Sequence, residues 1–154
     1  MNGCFVLYPF ELGETLTKRI NVGVSTDNSF GCELAEDVVC MEDIPPYDVS
    51  LRDGWAISTT EGNHTLVGEP VKNGEQPALL QKNGSRWINT GGFLPLAADA
   101  VVSDSDPQAP DFAADVYPYE NVLPRGTEWT KGSLILKKGT VLGAAAQALL
   151  FEAG

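Results

Sequence analysis

The chain has 154 residues, a formal net charge of −11 from 21 Asp and Glu against 10 Lys and Arg, and 43% hydrophobic content. A field of that sign repels phosphate backbones and anionic headgroups, and no basic patch offsets it, so neither nucleic-acid nor membrane-surface binding is expected. The 16 glycines and 10 prolines beside that apolar content describe a turn-rich globular protein with room for one substantial core or two small ones.

The apolar start Cys4 to Tyr8 has no preceding Lys or Arg and soon meets Glu11 and Glu14, which does not suit a signal peptide. Val6 to Tyr8 opens a strand, and Leu12, Leu16 and Ile20 at steps of four predict a short amphipathic helix over Glu11 to Ile20. Cys32 to Val39 fits either a short helix leading into a strand or a strand alone. From Trp55 to Val102 the pattern is β: WAIS, HTLV, RWIN and ADAVVS alternate with the turn-forming EGN, VKNGEQP, QKNG and GGFLPL. Ser103 to Asp111 is a polar loop or hairpin tip before a further strand near Phe112 to Tyr117. Gly132 to Leu136 is a strand, Lys137 to Thr140 a tight turn, and Ala144 to Ala153 a helix expected to be largely buried on Leu149, Leu150 and Phe151. No apolar run reaches the roughly 18 residues of a membrane span, so a cytoplasmic protein is expected.

Chemistry is sparse. Cys4, Cys32 and Cys40 form no CxxC pair, which argues against a zinc knuckle or disulfide framework. His64, the only histidine, has no nucleophile elbow nearby and is expected at the surface. Thr90-Gly91-Gly92 is too short to cradle a phosphate. Asp37, Glu42, Asp43, Asp48 and Asp53 cluster in sequence and would hold Mg²⁺ if they converged; a solvated acidic rim is the plainer reading. The three tryptophans, Trp55, Trp87 and Trp129, fall in or beside strands, as core residues do. What stands out is residues 44–56, IPPYDVSLRDGWA, where Pro45-Pro46 predicts an extended entry and Asp53-Gly54 a sharp reversal.

That stretch resembles the signature PPFDxSAMDGYA of the molybdopterin molybdotransferases, the family of MoeA and the gephyrin E domain. Leu34 to Val38 (LAEDV) precedes it as in the family, and Ile88 to Val102 (INTGGFLPLAADAVV) is similar to its TGAPLPxGADAVV block. Asn121-Val122 with Gly126 and Gly132, then Gly139-Thr140 and Leu149-Leu150, continue in family order. The resemblance implies an α+β, β-rich fold: an elongated α/β linker region from residues 1–43 and 121–154, and an inserted β-barrel-like domain from 44–120. In the family a pterin-binding, MogA-like domain follows, and this chain ends where that domain would begin.

By family position Asp53 and Thr90 are the expected catalytic residues, with Asp53 also the expected Mg²⁺ ligand and Ser50 and Gly91 the expected cofactor-binding residues. By their own chemistry Asp48 and Ser50 cap turn amides, and Asp53 is equally a turn aspartate ahead of Gly54. Molybdopterin, molybdate and Mg²⁺ are thus expected partners by resemblance alone, together with a homodimer and a separate MogA-like protein. Arg52 replaces the usual Met and is placed to pair with Asp53; Thr127-Glu128-Trp129 replaces Glu-Asp-Ile; Phe93 and Ala97 replace a Pro and a Gly. The resemblance therefore implies a MoeA N-terminal-like module of molybdenum cofactor biosynthesis, one wall of a molybdate-insertion site. The alternative is a non-catalytic dimerisation or protein-binding module.

Overall fold

The computed structural model describes residues 5–9, 22–24, 28–61, 64–108, 112 and 115–153. The chain divides into two compact units, Met1–Glu42 with Trp129–Gly154, and Asp43–Glu128. The helix expected over Glu11 to Ile20 lies outside the described residues.

In the first unit, β1 (Phe5–Pro9) sits between β2 (Val22–Val24) and β3 (Cys32–Leu34) in an antiparallel sheet. The Cys32 to Val39 ambiguity resolves to strand: β3 bends at Ala35-Glu36 and resumes as β4 (Val38–Val39), which pairs with β11 (Leu134–Leu136). Asp37 holds the following turn by accepting the Lys138 amide at 2.8 Å. Lys137 to Thr140 is the expected tight turn: Thr140 N–H donates to Lys137 O at 3.1 Å, and Gly139 takes the positive φ of +85° that the third position of a type II turn requires.

Leu34, Val38, Leu142 and Leu150 form this unit's core, flanked by Cys32, Ile135, Leu136 and Ala146. Helix α1 (Ala144–Ala153) forms as expected from its alanine-rich run but is not largely buried. Leu150 is 1% exposed while Phe151 is 62% exposed, because only one turn-spaced stripe of the helix reaches the sheet.

In the second unit a sheet runs in the order β7 (Leu66–Gly68), β8 (Gly84–Ile88), β6 (Gly54–Ile57), β9 (Ala100–Ser103). These are the WAIS, HTLV, RWIN and ADAVVS segments. β6 is buried throughout because it is central and covered on both faces. Ala56 faces a core of Ile88, Leu94, Val101 and Val122. Trp55 faces the other way, edge-on to Trp87 and Phe112 at ring separations of 5.5 and 6.3 Å. Trp87 and Trp129 are only half-buried.

Among the described residues no sheet closes into a barrel. The strand expected near Phe112 to Tyr117 is absent from the described residues of that stretch, 112 and 115–117. There the Tyr117 amide donates to the Glu120 carboxylate at 3.1 Å, and Tyr119 and Asn121 adopt positive φ, so the chain turns instead of extending. His64 is half-buried against Phe112, at a ring separation of 5.4 Å, and not a surface imidazole.

Candidate functional site

Residues 44–56 do not run straight. The chain bends through 45–47, with the Ile44–Pro45 peptide cis, and straightens only at β5 (Val49–Ser50). β5 is then gripped on both sides. One side pairs with β10 (Val122–Leu123), where Val122 faces Ser50 and Leu123 faces Val49. On the other side Val49 bridges Phe93, Ser50 N–H donates to Gly92 O at 2.9 Å, and Gly91 N–H donates to Ser50 O at 2.8 Å. The DGWA and TGG loops are therefore stitched together through their backbones.

The two glycines of the second loop serve different needs. Gly91 has φ +83°, the left-handed region that a Cβ disfavours. A Cβ on Gly92 would lie 2.8 Å from Ile88 Cγ1 and 2.9 Å from Asn73 Oδ1, so there the requirement is space. Gly54 is the tightest case: its Cβ would lie 2.0 Å from Val102 O.

This stitching brings the expected catalytic pair into contact. Asp53 Oδ1 accepts both the Thr90 amide at 2.7 Å and the Thr90 hydroxyl at 3.0 Å. Both residues are exposed, and Asp53 Oδ2 makes no hydrogen bond among the described residues. The pair thus presents one carboxylate oxygen to solvent from a carboxylate fixed by the other. Asn73 adds a long 3.4 Å contact to Thr90 O from a third loop.

Ser50 lies inward. It is 1% exposed, and its hydroxyl donates to Arg52 O at 2.5 Å and accepts the Arg52 amide at 3.3 Å. Gly91 is exposed beside Thr90. Arg52 is exposed too and does not pair with Asp53: among the described residues its guanidinium has no carboxylate partner, while its backbone atoms are held by the Ser50 hydroxyl.

The acidic residues take up separate roles, two of them on Arg125. Asp37 caps Lys138, Asp43 Oδ2 accepts from Arg125 Nε at 2.7 Å, and Asp48 Oδ1 accepts the Arg125 amide at 2.7 Å. Asp48 is thus a cap, as expected, but of a turn 77 residues downstream. Among the described residues no group of His, Cys, Asp or Glu side chains forms a metal site. Asp53 alone would offer Mg²⁺ a single protein ligand. Arg125 was not foreseen; its signal was a lone cation after Pro124 in an acidic chain.

The family model for the MoeA N-terminal region, domains I and II, matches residues 9–154. The molybdopterin molybdenumtransferase of Staphylococcus aureus is 28% identical over 166 aligned residues, covering 95% of this chain and 40% of that protein. Its counterpart from Staphylococcus epidermidis is 28% identical over 147 residues, covering 87% of this chain and 35% of that protein. Among solved structures, the molybdopterin biosynthesis MoeA protein of Pyrococcus horikoshii superposes with a TM-score of 0.72 at 30% identity, over 85% of this chain and 37% of that one. A second structure of the MoeA protein from this organism gives 0.65 at 27% identity. The chain thus spans 40% or less of the length of these relatives. No helix among the described residues is long and apolar enough to cross a membrane.

Proposed function

The chain belongs to the MoeA family, matching its N-terminal region (domains I and II), and from that premise we propose that it serves molybdenum cofactor biosynthesis as one wall of a molybdate-insertion site. The observation carrying this reading is the double hydrogen bond from Thr90 to Asp53 Oδ1, which joins the two family motifs at the surface. With one oxygen tied, the other has a fixed direction and can accept a proton or align water without the entropic cost of fixing the side chain first. Asp53 Oδ2 would supply one ligand to Mg²⁺, which when bound would neutralise phosphate charge.

Pterin and nucleotide contacts fall in this reading to a pterin-binding domain outside the two units described above, either in a homodimer partner or in a separate MogA-like protein. Gly91 lies on the exposed surface that faces the ligand, while buried Ser50 shapes the loop beneath it. We read the two compact units as the family's linker region and barrel-like inserted domain, and the protein as cytoplasmic.

The test is molybdate-dependent conversion of adenylylated molybdopterin. The purified chain is expected to be inert alone and active when mixed with a pterin-binding region of a relative, with Asp53→Asn lowering turnover about 10-fold or more. Turnover by the chain alone would refute the one-wall reading. Unchanged turnover in Asp53→Asn and Thr90→Ala would leave a non-catalytic dimerisation or binding module.

A further inference from the structure

At the N-terminal end of the same β5 stretch lies a cleft of about 230 Å³ between residues 47–48, the 94–98 loop and Arg125. Leu94, 3% exposed, forms its floor, and Leu96, 50% exposed, stands at its rim. Ala97 beside it holds φ +75°. The Tyr47 ring, tilted against Phe93 at 5.3 Å, lines one end together with Asp48.

The polar inventory of this cleft is asymmetric. Arg125 Nε is engaged by Asp43 Oδ2 at 2.7 Å, so its charge is already paired. Asp48 contributes a second carboxylate, of which Oδ1 takes the Arg125 amide and Oδ2 has no partner among the described residues. The local balance of Asp43, Asp48 and Arg125 is one negative charge, inside a chain of net charge −11. An anion entering here would meet an unpaired carboxylate and a guanidinium already neutralised. A cation would meet a free carboxylate oxygen, an aromatic ring and aliphatic walls for its stem.

We propose that this cleft docks a basic side chain, lysine or arginine, of an extended partner polypeptide. The ammonium or guanidinium binds Asp48 Oδ2 and lies against Tyr47, and its methylenes cover Leu94 and Leu96. The two remaining nitrogens of the Arg125 fork, which have no partners among the described residues, take a backbone carbonyl of the same peptide, as its planar donor geometry allows. This inference stands apart from the molybdate-insertion reading, because it uses neither Asp53 nor Thr90.

The experiment is an amide-resolved NMR titration of the whole chain with N-acetyl-Ala-Lys-Ala-amide, its Glu counterpart and butylamine, each raised to about 50 mM, so that the partial saturation of a weak, tens-of-millimolar contact still shifts resonances. The Lys peptide is expected to shift the amides of Leu94, Leu96, Ala97 and Arg125, more tightly than butylamine. Asp48→Asn keeps an oxygen for the Arg125 amide and should weaken binding about threefold or more. Leu96→Lys places a competing ammonium at the rim and should abolish it. No shift with the Lys peptide, equal shifts with the Glu peptide, or an unaffected Asp48→Asn variant would overturn the proposal. Butylamine binding as tightly as the peptide would overturn the polypeptide part of it.

Discussion

Gly54 and Gly91 are both glycine in the loops that meet at Asp53 and Thr90, but for different reasons, and substituting alanine separates them. At Gly91 an added Cβ meets nothing within 4 Å; the obstacle is φ +83°. A left-handed alanine costs about 1–2 kcal/mol, partly offset by about 0.5–1 kcal/mol because alanine restricts the unfolded chain more than glycine does. The net loss is about 0.5–1 kcal/mol. At Gly54 the Cβ would lie 2.0 Å from Val102 O and 2.8 Å from Val102 C, both backbone atoms that no rotamer change can move.

Relief requires parting β6 from β9 where Gly54 faces Ser103 and Trp55 faces Val102. That forfeits one or two ladder hydrogen bonds at about 1 kcal/mol each and adds about 1–3 kcal/mol of overpacking beside Trp55, for about 2–5 kcal/mol in all. Urea unfolding followed by tryptophan emission reads both variants. With a slope near 1–2 kcal/mol per molar for a unit of this size, Gly54→Ala should lower the midpoint by about 2 M and Gly91→Ala by about 0.5 M. Equal shifts, or a larger shift for Gly91→Ala, would refute the assignment of Gly54 to steric exclusion.

Ala97 sits at φ +75° and is exposed, so Ala97→Gly should raise stability by about 0.5–1 kcal/mol, seen as a higher urea midpoint. Asp53→Asn retains an oxygen for both Thr90 donors and should change stability by less than about 1 kcal/mol, so any loss of reconstituted turnover would be chemical, not structural. Asp48→Ala removes the acceptor of the Arg125 amide and should cost about 1–2 kcal/mol, read by the same unfolding assay.

The elements legible in the sequence were those whose signal is local. The WAIS, RWIN and ADAVVS strands carry their own apolar pattern, and the Lys137 to Thr140 turn carries its glycine. The stretch from Phe112 to Tyr117 misled because its turn is set by a side chain five residues beyond Asp115, where the Glu120 carboxylate takes the Tyr117 amide. Helix α1 was legible as a helix but not in its burial: alanine favours helix whether or not a neighbour covers it, and only Leu150 is fully covered. Asp48 was legible as a cap and its partner was not, since the capped amide at Arg125 lies 77 residues away. The clustering of carboxylates in sequence likewise did not carry their partners. Asp37 is taken up by the Lys138 amide, Asp43 and Asp48 by Arg125, and Asp53 by Thr90.

The departures from family pattern take on physical meaning once the backbone is known. Ala97, which replaces a glycine of the family pattern, holds φ +75°, a conformation alanine disfavours, so the loop is held by its surroundings, not by the residue. Leu96 N–H bonds Ala78 O at 3.0 Å, and Ala98 N–H bonds Pro95 O at 3.0 Å, which pins Ala97 from both sides. The same reasoning applies to Arg52. Replacing a Met there introduces a charge without a partner among the described residues, yet the bend is fixed by Ser50 Oγ through backbone atoms alone, so the substitution leaves the geometry of Asp53 untouched. The Asp53–Thr90 pair therefore depends on the backbone frame of β5, Gly91 and Gly92, and not on the side chain that differs beside it.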